Sequence, residues 1–224
     1  LRLLCLWMDK KRDSEERSCA ATQFPTLKVA AGIFLCWLPW LLMNYPCSFC
    51  NDATFQLKQW IGITPWTSAT PPMSTAIMGV CYSIGKALID ENFGTFLYCL
   101  LQTVCGALVF AAGIRECRIC GASKSFCKIA FAFYAFTPLW GLSCQWFEKC
   151  FLYTSVFTMA VILLLPIVRE RDCLPRQAVL ISAVVLLAAL LRADALMELY
   201  PALFLVAILL QKRARRWLAA ASLV

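Results

Sequence analysis

Histidine is absent from all 224 residues of the chain, which removes imidazole as a metal ligand, as a proton relay and as the base that activates a serine or cysteine nucleophile. Charge is scarce. Only 15% of residues are charged against 61% hydrophobic, with a mean hydropathy of +0.71, a balance far from that of a soluble domain. The chain also lacks a phosphate-binding glycine loop, a dinucleotide fingerprint and a nucleophile elbow. No internal repeat and no low-complexity linker divides it. What remains is an all-α, polytopic transmembrane protein.

Long apolar runs give spanning candidates at Leu27 to Tyr45, Thr95 to Ile114, Ile129 to Phe147, Phe151 to Val168, Ala178 to Leu191 and Leu196 to Leu210. These are about six helices near the length a hydrocarbon core requires, the last two being short for it. Pro39, Pro138, Pro166 and Pro201 lie in or at the ends of these runs, where membrane helices accept them if neighbours satisfy the freed carbonyls. Trp37, Trp40, Trp140, Trp146, Tyr200 and Trp217 fall toward run ends, the headgroup level such rings prefer. Leu1 to Met8 is too short for a signal peptide, lacks a small-residue cleavage site and runs into the mixed-charge stretch Asp9 to Arg17. It reads as the tail of an upstream helix. With a fresh apolar run opening at Leu218, the sequence reads as truncated.

A further run, Met73 to Ile89, decides the orientation. If it does not cross, most of the 21 basic residues share one side: Lys10, Lys11, Arg12, Arg17, Lys28, Arg115, Arg118, Lys124, Lys128, Arg169, Arg171, Arg176, Lys212, Arg213, Arg215 and Arg216. Lys58, Lys86, Lys149 and Arg192 fall on the other. If it crosses, the larger share lands outside, against the positive-inside rule. The favoured division is therefore a cytoplasmic segment over 1–26, a first transmembrane helix over 27–45, an extracytoplasmic loop over 46–92 and a helical bundle over 95–224. The formal charge of +8 becomes an orientation signal and an attraction to anionic headgroups. It does not point to nucleic acid.

The loop contains a lone carboxylate, Asp52, just past the first span, and an acid at a bilayer surface is costly unless something uses it. Asn51 or Asp52 can cap a short helix carrying Ala53, Leu57, Trp60 and Ile61, with Gly62 as its stop. Thr70 as cap and Pro71 at the first position start a second helix. Its Ile77, Val80, Ile84 and Leu88 line one face, and Thr75, Tyr82, Lys86 and Asp90 the other. Such an amphipathic pair lies in the membrane interface. Among the 14 cysteines, Cys47 with Cys50 and Cys117 with Cys120 have Cys-x-x-Cys spacing. The topology puts these pairs on opposite sides, so they cannot share a zinc; a Cys47–Cys50 disulfide is open in an oxidising compartment.

These residues resemble the GT-C superfamily of integral-membrane glycosyltransferases, in which a basic tail leads to a first helix, then an acid, a juxtamembrane helix, a proline-led second one and a further span. Tyr45-Pro46, Asp52, Gln56, Gly62-Ile63, Pro71 and Leu97 to Gln102 are similar to a group of bacterial multi-pass membrane proteins reading Tyr-Pro-Gly, Asp, Gln and His-Pro in the first external loop. Here Cys47 replaces the glycine, Thr70 stands where histidine is frequent, Cys150 follows Lys149 where aspartate is common, and Ala53 follows Asp52 where several transferases have a second acid.

The resemblance implies a cell-envelope transferase in a bacterial plasma membrane, moving sugar from a polyprenyl-phosphate donor to an extracytoplasmic glycan or protein acceptor. Asp52 is then the general base. Lys149, Arg192 and, more weakly, Lys58 and Lys86 are candidates for the lipid phosphate, Arg192 for the bidentate grip of its guanidinium. Gln56 joins them as a substrate-side polar residue. No protein metal ligand set is read, although a divalent cation has room beside such a donor. Without the resemblance, Asp52 is a helix cap, Lys149 and Arg192 snorkel to the interface, and Gln56 ties helices together. The alternative functions are a transporter or lipid-linked-sugar translocase, and a non-catalytic paralogue serving as a membrane scaffold.

Overall fold

The computed structural model describes residues 23–67, 70–170, 174–192 and 194–209. The N-terminal segment read as cytoplasmic, with Lys10, Lys11, Arg12 and Arg17, lies outside them. So do Arg171, the basic patch from Lys212 to Arg216, Trp217 and the final apolar run.

Within these residues the chain is helical apart from one pair of very short strands. In order it forms α1 (Thr26–Met43), β1 (Ser48–Phe49), α2 (Asn51–Trp60), α3 (Pro72–Leu88), α4 (Glu91–Ile119) and α5 (Lys124–Phe136). There follow α6 (Pro138–Cys144), β2 (Trp146–Phe147), α7 (Lys149–Glu170), α8 (Pro175–Leu191) and α9 (Ala195–Leu209).

Among the described residues, three helices are long and apolar enough to cross a membrane: α1, α4 and α7. The α5–α6 pair makes a fourth if it is one bent span. This is fewer than the six read from the sequence. The run Ile129 to Phe147 is not continuous, because Thr137 is extended and α6 sets off from α5 at 50°. Pro138 explains the break: its ring disfavours a helical residue before it and removes an amide, yet suits the first position of the next helix. The last two runs lie in α8, of 17 residues, and in α9, described over 15 residues as far as Leu209, where the described residues end; neither is among the spanning helices found in the described residues.

Local chemistry fixes the element ends. Asp90 caps α4 by accepting from the Phe93 amide at 2.7 Å, and Ser123 caps α5 by accepting from that of Phe126 at 3.1 Å. Gly62 and Gly121 close α2 and α4 at φ +80° and +101°. In each case the next amide reaches back to the helix, Ile63 to the Lys58 carbonyl at 2.9 Å and Ala122 to that of Cys117 at 3.0 Å. These are Schellman closures, in which glycine takes the left-handed position without penalty.

Two features of the loop over 46–92 differ from the sequence reading. Cys50, not Asn51 or Asp52, occupies the cap of α2 and offers it no side-chain bond. The cap of α3 is Pro71, with Pro72 at the first helical position, one residue later than read.

On α3 the small and polar side is the buried one: Ser74, Thr75, Met78, Gly79, Cys81, Tyr82 and Gly85 pack inward. Val80, Ile84 and Leu88 stay 45%, 47% and 68% exposed. An outward apolar stripe is what a lipid-facing helix presents. Both ends of α3 stay at the Asp52 end of the bundle. Ser74 accepts from the Gln56 amide at 3.0 Å, one turn from Asp52. Gly85 backs onto Gly94 in the opening turn of α4, so closely that a Cβ on Gly94 would come within 2.5 Å of the Tyr82 carbonyl oxygen.

The core divides along the bundle. Leu41, Met78, Tyr98, Phe147, Leu152 and Tyr153 join α7 and α8 in one cluster. Ile33, Trp37, Phe110, Cys127 and Cys144 form the other, between α1, α4 and the bent pair. Trp37 is fully buried and donates its indole N–H to the Tyr134 carbonyl at 2.9 Å.

Candidate functional site

The parallel pairing of β1 with β2, Ser48 beside Trp146 and Phe49 beside Phe147, brings the loop after α1 to the linker before α7. Each strand runs straight into a helix, so α2 and α7 start side by side. Asp52 in the first turn of α2 meets Lys149 at the start of α7, Oδ2 to Nζ 3.1 Å, across 97 residues of sequence. The Asp52 side chain is 71% exposed while that of Lys149 is 16% exposed. The acid is open to an incoming group; the cation that holds it is largely enclosed.

The linker is itself held from within. Gln102, wholly buried on α4, donates to the carbonyls of Cys144 at 2.7 Å and Trp146 at 2.6 Å. The Tyr98 hydroxyl, one turn earlier, donates to the Glu148 carbonyl at 2.9 Å. Phe147 packs between the rings of Phe49 and Tyr98. Burying such backbone carbonyls is tolerable only when they are paired, and α4 supplies the partners.

Arg192 arrives from the turn between α8 and α9. Its guanidinium grips the Asp194 carboxylate with Nε at 2.9 Å from Oδ1 and Nη2 on Oδ2. It lies over the Tyr153 ring at 5.1 Å, with Nη1 3.8 Å from the Cys150 sulfur. Tyr153 donates in turn to Glu198 on α9 at 2.9 Å. The Arg192 guanidinium holds the Asp194 carboxyl below its ordinary pKa, and the carboxylate raises that of Arg192. Lys149 lies within electrostatic reach of the same carboxylate.

Thus Asp52, Lys149 and Arg192 share one end of the bundle, around the first turn of α7. Gln56 and Lys86 do not join them. Gln56 is 1% exposed and engaged with Ser74 between α2 and α3. Lys86 is bound to Glu91 at 2.7 Å, an exposed pair across the α3–α4 turn; this contact holds the Glu91 carboxyl low and the Lys86 ammonium high.

Cys47 and Cys50 are free thiols, as are Cys117 and Cys120. Among the described residues no group of three or more cysteine, aspartate or glutamate side chains is placed to hold a metal ion.

The sequence reading missed Asp194, Tyr153 and Glu198 as members of this cluster. Asp194 had a visible signal, an acid two residues from a candidate arginine at a membrane boundary. Tyr153 and Glu198, 45 residues apart, had none.

No family model, curated protein or solved structure matches the chain.

Proposed function

We propose that the chain belongs to a membrane glycosyltransferase of the GT-C type, which moves a sugar from a polyprenyl-phosphate donor to an extracytoplasmic acceptor. The observation that carries this reading is the Asp52–Lys149 contact at 3.1 Å, built by strand pairing between remote segments and flanked by Arg192. An exposed acid beside an enclosed lysine and a nearby arginine is an arrangement suited to displacement of a lipid phosphate.

In the reaction Asp52 accepts the proton of the acceptor hydroxyl as its oxygen bonds to the anomeric carbon. The bond from that carbon to the phosphate oxygen breaks, and the polyprenyl phosphate leaves with the electron pair. Lys149 and Arg192 face the phosphate, where charge accumulates. The α2–α3 pair lies at the membrane surface: α3 is not among the helices long and apolar enough to span, its two ends are at one end of the bundle, and its apolar stripe is outward.

The test is transfer by the full-length protein. Asp52→Asn lowers turnover about 10²- to 10⁴-fold with donor affinity retained, and Lys149→Gln weakens donor binding. Full turnover by Asp52→Asn excludes Asp52 as the base.

A further inference from the structure

At the end of the bundle opposite Asp52, a cavity of about 400 Å3 lies between the start of α1, the end of α4 and the first half of α5, within the size range of ligand sites. Its polar lining includes Arg118, Lys124 and Lys128, and its apolar wall Phe24, Ile114 and Phe131; among the described residues that line it there is no aspartate or glutamate. Lys124 and Lys128 are one turn apart on α5, a like-charged spacing that mildly destabilises a helix and that a bound anion would relieve. Glu116, at the same end, pairs with Arg115 at 3.3 Å and Arg169 at 3.8 Å. Arg118 is fixed by donating to the Ala122 carbonyl at 2.7 Å, just past the glycine closure of α4.

We propose that this cavity holds the headgroup of one anionic glycerophospholipid, its phosphate against Lys124, Lys128 and Arg118 and the start of an acyl chain against Phe24, Ile114 and Phe131. The charge argues for an anion. The apolar wall argues for an amphiphile over a free ion, and α5 presents Ile129 and Phe133, 68% and 53% exposed, to the surrounding hydrocarbon. Basic pockets between membrane helices bind anionic headgroups by this combination.

The test uses the full chain in nanodiscs of phosphatidylcholine with added phosphatidylglycerol, released into detergent and weighed intact by native mass spectrometry. The unaltered protein retains phosphatidylglycerol in preference to phosphatidylcholine and melts at a higher temperature in its presence. Lys124→Gln with Lys128→Gln lowers that retention about tenfold or more. Lys28→Gln with Arg176→Gln, which removes the same charge from exposed positions outside the cavity, changes it by less than about twofold. Equal losses in the two pairs would show diffuse attraction and overturn the site. So would equal retention and equal melting with the two lipids. Displacement of the lipid by inorganic phosphate alone would assign the cavity to a free anion and overturn the lipid.

Discussion

The two halves of the segment between α1 and α4 are built on opposite principles. The first half, through Asp52, is held by a segment 97 residues away and depends on a buried scaffold in α4. The second half, through Lys86, is closed by its nearest neighbours: Glu91 five residues on, and Gly94 against Gly85. The contrast separates an ion pair that the fold had to assemble from one that a short inter-helix turn makes between near neighbours. The first has one partner enclosed; in the second both side chains are more than half exposed. An exposed pair is screened and weak, whereas a pair set on rigid elements can position a reacting group.

The comparison breaks most readily at the scaffold. Gln102→Leu strips two buried carbonyls of their donor and destabilises the protein by about 2 kcal/mol or more, read by chemical denaturation in detergent. Transfer falls with it, because the linker that holds Lys149 loosens. Gly94→Ala attacks the local half: its methyl meets the Tyr82 carbonyl, which costs about 1–3 kcal/mol and leaves the Asp52–Lys149 register intact. A smaller effect separates the two ion pairs directly. A double-mutant cycle of Asp52→Asn with Lys149→Gln gives a coupling of about 0.5–1 kcal/mol, and the same cycle on Lys86 and Glu91 gives none that denaturation resolves.

The smallest effect is pH-dependent. Arg192 depresses the folded-state pKa of Asp194 below its ordinary 3.8, so the contribution of this pair is complete above that value. It fades only as pH falls below it, through the lower folded value. Acid titration of Asp194→Asn against the unaltered protein therefore diverges above pH 3.8 and converges below.

Much of this was readable from residue order. Alternating apolar runs placed α1, α4 and α7, because a span is a local property of composition. Gly62 announced the end of α2, since a left-handed closure has one preferred residue. Asp52 was legible as a lone acid just past the first span, with a helix cap as its local alternative. Lys149 was named among several cations for a lipid phosphate, but its pairing with Asp52 was not read, because the β1–β2 register that makes it is two residues long and carries no pattern of its own. The break at Thr137 hid behind a proline of the kind membrane helices usually absorb. Lys86 and Gln56 appeared beside Asp52 because they share its loop. Helix direction then carried Lys86 to the α4 turn and turned Gln56 inward against Ser74.

All of this requires α3 to begin and end on one side of the bilayer. In a cysteine-depleted background, single cysteines at Lys58 and Glu91 flank that helix in sequence. An impermeant maleimide applied outside intact cells should label both without permeabilisation. Labelling of one from outside and of the other only after permeabilisation would mean that α3 crosses the membrane, and would contradict the account.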